Sequence, residues 1–312
     1  MKKAIITGPT GAIGMALIDK LLREDVNVLA IVHRDSERAK QIPRCPKLQI
    51  LEADLKDFAN ITLPEQDWEI FYHLAWSGTF GDARNNMECQ IDNIRYTLDA
   101  VRLAHRSGCH TFVGAGSQAE YGRYAGVLRA DTPTYPENGY GMAKLCAGQM
   151  SGQLCKQLGL RSIWTRILSV YGPYDGEKTM ISSAIRDFMN GRPTHFTQGE
   201  QLWDYLYSGD AAEIFYLLGL FGKSDKTYVL GSGMARPLRE YIETLAEKLG
   251  VRENLGIGDV PYADKQVMHL QADTRPLLED LGYVPETGFD EGIETTIKFY
   301  RDIDSVVTPT LR

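Results

Sequence analysis

Two residues with acid–base chemistry, a tyrosine and a lysine, stand four positions apart in this 312-residue chain. The pattern Tyr-x-x-x-Lys occurs at Tyr140 with Lys144 and again at Tyr174 with Lys178. Tyr140 opens a stretch of helical composition, so both side chains would lie on one helix face. Tyr174 is followed by an Asp-Gly turn signal, and the second match is set aside. An ammonium group beside a phenol stabilises tyrosinate, so we predict Tyr140 and Lys144 to form an acid–base pair.

Ser117 is the hydroxyl residue best placed to act with this pair. It ends the sequence Gly114-Ala-Gly-Ser117, just past a predicted strand. Its hydroxyl would hydrogen-bond the oxygen of a carbon that interconverts between ketone and alcohol, where charge develops. A serine at a strand end is on its own usually a turn residue. Together with Tyr140 and Lys144 it predicts a catalytic set.

A glycine-rich turn near the start of the chain predicts a dinucleotide site. Thr7-Gly-Pro-Thr-Gly-Ala-Ile-Gly14 follows the first predicted strand and opens the first predicted helix. Glycines allow close backbone approach to a pyrophosphate, and amides at a helix N-terminus favour its negative charge. The alternative is a turn that binds no ligand. The predicted contacts lie within this turn: Gly8, Thr10, Gly11, Ala12, Ile13 and Gly14.

The end of the second predicted strand bears on which dinucleotide binds. An Asp or Glu there would hold a free ribose 2′-hydroxyl, but the chain has His33-Arg34. The guanidinium fork of Arg34 can hold a 2′-phosphate by two hydrogen bonds. This favours NADP(H), with NAD(H) left open. The alternative for Arg34 is a solvated surface arginine.

Further cofactor contacts are expected where the next strands end. Asp54 and Leu55 follow the third predicted strand and would lie beside adenine, although Asp54 alone would be an ordinary helix cap. Leu74 and Ala75 follow the fourth and would lie under the cofactor. The acid–base pair would also contact the cofactor, its lysine at the nicotinamide ribose.

These residues need a parallel sheet to position them. The first half of the chain alternates short β-branched runs with stretches of helical periodicity, which predicts a Rossmann-type, doubly wound α/β sheet. The predicted strands are Lys3 to Thr7, Val26 to His33, Leu48 to Ala53, Ile70 to Leu74, Thr111 to Gly114 and Ser162 to Leu168. The predicted long helices are Ala12 to Glu24, Met87 to Ser107 and Tyr140 to Leu158.

The rhythm changes after Leu168, where turn-rich sequence begins. We expect a smaller C-terminal α/β lobe there, interleaved with the first domain. The dinucleotide-binding domain would comprise residues 1–168, with 204–230 returning to it. The substrate lobe would comprise 169–203 and 231–312.

Composition excludes several other classes. A formal net charge of −7 argues against nucleic-acid or anionic-membrane binding. The five cysteines are scattered without Cys-x-x-Cys spacing, so neither a metal site nor a disulfide framework is expected. The N-terminus has no apolar run of signal-peptide length, and no stretch is long enough to span a bilayer. We expect a cytoplasmic protein.

The ordered motifs resemble the extended short-chain dehydrogenase/reductases, the NAD-dependent epimerase/dehydratase group. The glycine turn, Ser117, the Tyr140–Lys144 pair and Tyr171-Gly-Pro173 carry the resemblance, which extends to Leu281-Gly-Tyr-Val-Pro285. It implies a nucleoside-diphosphate sugar bound by the later lobe, and a homodimer formed through the second and third long helices. The substrate contacts it implies are Trp76, Gln118, Tyr121, Ser169 and Trp203.

The chain departs from the family at positions that decide the reaction. Sugar dehydratases carry an Asp-Glu pair where this chain has Gln118 and Ala119, and epimerase-reductases carry a cysteine in place of Ala119. The arginine that holds the diphosphate in many relatives is Trp203 here, which either stacks on the ligand or packs in the core. An asparagine of the family is replaced by Ser169.

Of the reactions of this family, hydride transfer between a ketone and an alcohol therefore remains. The leading hypothesis is an NADP(H)-dependent reductase of a nucleoside-diphosphate 4-keto-(6-deoxy)hexose, with hydride transfer at C4 and Tyr140 as acid or base. The alternative is an NAD-dependent nucleotide-sugar 4-epimerase, which needs the same three residues. A non-catalytic NADP(H)-binding redox sensor is a third hypothesis, disfavoured because such a protein would not need the tyrosine–lysine pair.

Overall fold

A seven-stranded parallel sheet forms the centre of the computed structural model, which describes residues 1–251, 253 and 255–307. In chain order its strands are β1 (Lys3–Thr7), β2 (Asn27–Val32), β3 (Leu48–Glu52), β4 (Ile70–His73), β5 (Thr111–Ser117), β6 (Arg161–Ile167) and β10 (Lys226–Leu230). Across the sheet the order is β10-β6-β5-β4-β1-β2-β3. The predicted doubly wound α/β class is confirmed.

Helices cover both faces of this sheet because its strands are apolar on both sides. One face packs against α1 (Ala12–Arg23), α5 (Ser208–Phe221) and α7 (Arg275–Leu281). The other packs against α2 (Met87–Arg106) and α3 (Gly139–Leu158), which also contact each other. The chain order reverses between β1 and β4, which opens a crevice at the carboxyl ends of the strands.

The fifth strand runs three residues further than predicted, to Ser117. The predicted strand ended at Gly114, but Gly116 also lies within the observed strand. A Cβ at Gly114 would lie 2.4 Å from Cζ3 of Trp164, so the glycine makes room for the indole on β6. Here glycine marks a close approach rather than a chain reversal. The other predicted elements end within two residues of the observed ones.

The last strand of the sheet comes from late in the chain. β10 pairs in parallel with β6, with Lys226 opposite Ile163 and Leu230 opposite Ile167. Before it, α5 packs on α1. We propose on this basis the division in which residues 204–230 belong with 1–168.

The remaining elements form a smaller group around their own core. They are β7 (Ser169–Tyr171), α4 (Met180–Met189), β8 (Leu202–Trp203), β9 (Tyr205–Tyr207), β11 (Arg236–Pro237), α6 (Leu238–Leu249) and α8 (Phe289–Val307). β7 pairs with β9 and β8 with β11. Tyr171, Tyr241 and Phe289 lie within the buried cluster that α4, α6 and α8 enclose.

Within the described ranges, no helix combines the length and apolarity needed to cross a membrane. The same residues contain no group of three or more His, Cys, Asp or Glu side chains able to hold a metal ion. All five cysteines are free thiols.

Candidate active site

Two adjoining cavities open at the carboxyl ends of the strands. The first, of about 310 Å³, lies over β1, β2 and β3 and takes in Thr10, Asp54, Leu55 and Ala75. The second, of about 350 Å³, lies over β1, β5 and β6. From the predicted set it is lined by Gly11, Ala12, Ile13, Gly14, Leu74, Ser117, Tyr140 and Lys144. Gly8 and Trp76 border both cavities.

The glycine turn is shaped for close contacts. Gly8 has φ +70°, and a Cβ there would lie 2.8 Å from the Ala75 nitrogen. A Cβ at Gly14 would lie 2.4 Å from the Gly8 carbonyl oxygen, so Gly14 lets α1 pack on the turn. At Gly11 the nearest atom to such a Cβ would be 3.9 Å away. Gly11 is the N-cap of α1 and makes no side-chain cap, and the first turn of α1 carries no acidic residue, which suits an anion.

Arg34 lies at the edge of the first cavity, outside its lining. Its Nη1 is 3.3 Å from Asp54 Oδ2 and 2.9 Å from Asp57 Oδ2, and its side chain is 48% exposed. The Arg34 amide also donates to Asp54 Oδ1. Burial opposes ionisation of Asp54, but the bond from the Arg34 backbone and the nearby cations outweigh it and lower the pKa of that carboxyl. Two carboxylates therefore hold the guanidinium in place and offset much of its charge.

The three predicted catalytic residues meet in the second cavity. Ser117 ends β5, and Tyr140 and Lys144 lie one turn apart on α3. The hydroxyl of Ser117 lies close enough to the phenol of Tyr140 to lower its pKa against burial. The helix begins at Asn138, whose side chain accepts from the Gly141 amide and caps it.

Lys144 is 3% exposed and occupies a mostly apolar position. Its Nζ donates to the Ala115 carbonyl at 2.6 Å and lies 3.8 Å from the ring centroid of Trp76. Burial lowers the pKa of Lys144 to about 7, against the opposing effect of the Glu120 carboxylate. His73 beneath it is neutral, because burial and the charge of Lys144 lower its pKa to about 3.

The expected stabilisation of tyrosinate by Lys144 is wrong for this arrangement. Burial raises the pKa of Tyr140, and the opposing effects come from the Ser117 hydrogen bond and from Arg84, whose guanidinium carbon lies 4.3 Å from the phenol ring centroid. Lys144 is 5.8 Å from that centroid and points to Ala115 and Trp76 instead. The phenol is therefore protonated at neutral pH.

Trp76 is the predicted substrate residue that the structure brings to the site. Its indole Nε1 donates to Oε1 of the buried Gln90 at 3.0 Å, and Gln90 donates in turn to the carbonyls of Gly78 and Ala83. Its ring meets that of Tyr140 edge to face, with centroids 6.1 Å apart. Gln90 thus fixes the indole between the two cavities.

The other predicted substrate residues lie outside the two cavities. Tyr121 is buried, and its hydroxyl donates to the Arg129 carbonyl, so its polar group is used within the fold. Trp203 donates from Nε1 to Ser169 Oγ at 2.8 Å and packs against the core of the smaller group. Gln118 lies in the short turn after Ser117. Of the two predicted alternatives for Trp203, its contacts match packing in the core and not stacking on the ligand.

Several residues that line the cavities were absent from the prediction. Arg38, Phe80, Leu168 and Val170 border the second cavity, and Tyr96 the first. Asp175 also reaches the second cavity, from the turn-rich segment after Tyr171 that the sequence did mark. Arg38 and Phe80 follow no motif. Only the fold brings them to the strand ends.

Comparison with known proteins agrees with this geometry. The family model described as the NAD dependent epimerase/dehydratase family matches residues 4–231. The chain belongs to this family. The resemblance inferred from the motifs is confirmed, and the protein is an enzyme of the NAD(P)-dependent extended short-chain dehydrogenase/reductase kind.

Its relatives in the family carry out different reactions. The dTDP-4-dehydro-6-deoxyglucose reductase of Escherichia coli is 24% identical over 95% of this chain and 97% of its own length. The UDP-glucose 4-epimerase of Mycolicibacterium smegmatis is 25% identical over 96% and 99%. Among solved structures, MoeE5 in complex with UDP-glucuronic acid and NAD has a TM-score of 0.82, 25% identity and coverage of 96% and 99%.

Proposed function

We propose that the protein is an NADP(H)-dependent reductase that transfers hydride to C4 of a nucleoside-diphosphate 4-keto-(6-deoxy)hexose. One observation carries the proposal. Ser117, Tyr140 and Lys144 share a cavity with the glycine turn, while the positions used for elimination in dehydratases hold Gln118 and Ala119. A glutamine and a buried alanine cannot exchange protons at neutral pH, so the site retains ketone–alcohol chemistry alone.

The residues present fit a nicotinamide dinucleotide. Gly8 would clash if it carried a side chain, Gly11 leaves open space, and the start of α1 has neither a side-chain cap nor an acid in its first turn. These features suit a pyrophosphate at the helix N-terminus. The bound cofactor supplies the hydride. Asp54 and Leu55 would lie toward its adenosine end, and Leu74 and Ala75 beneath it.

Tyr140 would act as the acid in the reductive direction. Its raised pKa keeps the phenol protonated, ready to donate to the oxygen of the substrate carbonyl. Ser117, which lines the same cavity, would donate to the same oxygen as negative charge develops. The ammonium of Lys144, held on the Ala115 carbonyl, would supply positive charge beside both groups.

Arg34 supports the choice of NADP(H). Asp54 and Asp57 engage only Nη1, and the side chain remains 48% exposed just after the end of β2, where a 2′-phosphate would lie. Arg38 adds a second cation at the border of the second cavity, fixed by a hydrogen bond to the Tyr174 carbonyl.

A second candidate is an NAD-dependent nucleotide-sugar 4-epimerase. The observation that favours it is the same pair of carboxylates, because Asp54 and Asp57 offset the charge of Arg34 and weaken its attraction for a 2′-phosphate. The epimerase would use Tyr140 first as base and then as acid.

Three further features belong to the proposal. The ligand is a nucleoside-diphosphate sugar, the class that the names of the relatives above contain, and it binds toward the later lobe. The chain forms a homodimer through α2 and α3, whose outer faces expose Met87, Ile91, Met142 and Met150. The protein acts in the cytoplasm.

Identification of the bound nucleotide separates the two candidates. The protein is purified and denatured, and the released nucleotides are identified by mass spectrometry, while NADPH and NADH are titrated separately into protein freed of nucleotide. Exchangeable binding with preference for NADPH supports the reductase. NAD that co-purifies, together with weak NADPH binding, overturns the argument from Arg34 and supports the epimerase.

Substitution of Tyr140 tests the chemical role. Tyr140→Phe removes the proton donor but keeps the ring, so NADPH affinity should change less than about threefold while kcat falls by about 10²–10⁴. The assay is oxidation of NADPH with CDP-, dTDP-, GDP- and UDP-linked 4-keto-6-deoxyhexoses. Tyr135→Phe, at an exposed tyrosine that lines neither cavity, is the control. Unchanged turnover in Tyr140→Phe would refute the proposed mechanism.

A further inference from the structure

A buried ion pair lies directly behind Ser117. Glu120 is 0% exposed and Arg166 is 8% exposed. Arg166 Nε donates to Glu120 Oε2 at 2.7 Å. The other carboxylate oxygen, Oε1, accepts from the Trp164 indole at 3.0 Å and from the Ser117 amide at 2.9 Å. One carboxylate therefore joins the end of β5 to two side chains of β6.

The surrounding chain leaves space for this carboxylate. A Cβ at Gly116 would lie 2.3 Å from Glu120 Oε1 and equally close to the Trp164 nitrogen. A Cβ at Gly148 on α3 would lie 2.6 Å from the same indole. Two glycines on different elements thus make room for the cluster of Glu120, Trp164 and Arg166, which we call the Glu120 cluster.

Stability alone does not explain such a cluster. Withdrawing two charges from water costs several kcal/mol per ion, and apolar residues of similar volume stabilise a core as well or better. Arg166 has a further bond to the Ala130 carbonyl at 3.0 Å and lies 4.6 Å from the Tyr121 ring centroid, so its position is fully determined. The desolvation energy of the buried Glu120–Arg166 pair therefore points to a role for the pair in the adjoining site.

The cluster reaches the reacting groups by a short path. Glu120 holds the Ser117 amide, and the Ala119 amide donates to Ser117 Oγ at 3.2 Å. Ser117 and Tyr140 line the same cavity. The rotamer of the serine therefore depends on the turn that Glu120 closes.

We propose that Glu120, held by Arg166 and Trp164, is a positioning residue that orients Ser117 toward the substrate oxygen. The inference rests on the proposed function, because the orientation of Ser117 matters only if Ser117 takes part in the reaction. Burial raises the pKa of Glu120, and the charge and hydrogen bond of Arg166 oppose this rise, so the pairing favours the carboxylate form.

The groups that face Lys144 give the sign of the electrostatic effect. His73 on β4 is neutral, Trp76 and the Ala115 carbonyl carry no net charge, and Tyr140 on the same helix is protonated. Glu120 is the charge that raises the pKa of Lys144 against burial. Loss of that charge should let the lysine lose its proton at lower pH.

Glu120→Gln tests the inference, because the amide keeps the size of the side chain and removes the charge. We expect kcat for NADPH-dependent reduction to fall about tenfold, with KM and NADPH affinity within about twofold. The alkaline limb of the pH profile should move to lower pH by about one unit. Exchange of the Ser117 amide hydrogen, followed by NMR or mass spectrometry without any substrate, should accelerate about tenfold.

Asp280→Asn is the matched control. It also removes a buried, multiply bonded carboxylate, but at the far edge of β10, so it should lower stability and leave the pH limb and the Ser117 amide unchanged. A Glu120→Gln enzyme with wild-type pH limb and wild-type Ser117 exchange overturns the inference. If Tyr140→Phe also retains activity, the proposed function fails instead. Loss in Tyr140→Phe with no effect of Glu120→Gln refutes the positioning role alone.

Discussion

Gly11 and Gly14 lie in the same turn but meet different surroundings, which makes them a matched pair at the scale of single residues. In Gly14→Ala the new methyl would collide with the Gly8 carbonyl and with Pro9, so we expect the free energy of unfolding to fall by about 2 kcal/mol or more. In Gly11→Ala the methyl has space and φ is −85°, so stability should hold.

Cofactor affinity should also distinguish substitution of Gly11 from substitution of Gly14. The Gly11 methyl would project where the backbone approaches a pyrophosphate, so we expect a loss of NADPH affinity of about tenfold or more without loss of fold. Thermal melts and NADPH titrations of both variants check the two expectations. Normal binding by Gly11→Ala would contradict the assignment of this turn to the phosphates.

Lys144 should set the alkaline limit of the reaction. Its pKa is lowered to about 7, so it is charged below that pH and loses its charge as the pH rises through it. Reduction should therefore be fastest below about pH 7 and decline above it. Lys144→Met should lower kcat by about 10² and abolish this limb, measured as kcat/KM from pH 6 to 9. A limb that persists unchanged in the methionine variant would assign it to another group.

The predicted site was most accurate where a residue acts through its backbone or sits on a motif with fixed geometry. Gly8, Gly11 and Tyr140 reach the cavities because a strand, a turn and a helix place them there. Tyr121 was also predicted to contact the substrate, yet its hydroxyl donates to a backbone carbonyl inside the fold. Sequence does not show which side of a short turn faces the ligand. The ion pair between Arg34 and Asp57 likewise could not be predicted, because local sequence patterns do not show contacts between separate segments.

At the scale of elements, Asp280 joins α7 to the edge of the sheet. Its side chain is 1% exposed and accepts from Lys223 at 2.6 Å, Lys226 at 2.5 Å and the Tyr228 hydroxyl at 2.7 Å. Burial opposes ionisation, but these bonds outweigh it and hold the pKa of Asp280 well below its usual range. The carboxylate therefore stabilises the folded protein wherever it is ionised in both states.

Asp280→Asn should lower the free energy of unfolding by about 2 kcal/mol, the value of charge-assisted hydrogen bonds to partly exposed lysines. Because the folded pKa is depressed, the difference from wild type should be full above about pH 5 and shrink as the pH falls through and below the unfolded value near 4. Urea unfolding at pH 7 and pH 3 measures it. Asp19→Asn, in an exposed pair with Arg23, should change little. An equal difference at both pH values would argue against the depressed pKa.

Element prediction succeeded where periodicity is strong and erred where glycine has two meanings. The alternation over residues 1–168 was enough to derive six of the seven strands of the sheet, since parallel strands and their covering helices leave distinct patterns. The strand β10 was not predicted. The predicted fifth strand stopped three residues early, at Gly114, because Trp164, for which its glycines make room, is some 50 residues away in sequence. Short strands such as Leu202–Trp203 depend on tertiary pairing and carry no periodicity.

At the scale of the whole molecule, Asp204 links distant segments. It is fully buried and accepts from the amides of Ser232, Gly233 and Ala272 and from the Ser232 hydroxyl, at 2.6 to 3.0 Å. It thus ties the turn between β8 and β9 to the chain just after β10 and to the segment before α7.

Asp204→Asn would turn an amide group toward these donors, so we expect the free energy of unfolding to fall by about 3 kcal/mol. Urea unfolding followed by circular dichroism measures it. Asp187→Asn, which removes an exposed partner of Arg192, should cost less than about 0.5 kcal/mol. Equal stability of the two variants would show that the buried carboxylate does not hold the segments together.

The late arrival of β10 has a consequence for synthesis on the ribosome. Until residue 230 has left the exit tunnel, β6 has a free edge whose backbone amides and carbonyls have no strand to pair with. Some 60 residues, with α4 and α5 among them, must emerge in the interval between β6 and β10. A nascent chain arrested in that interval presents a ready surface for another unfinished chain, and chaperone contact should peak there and cease once Leu230 pairs with Ile167.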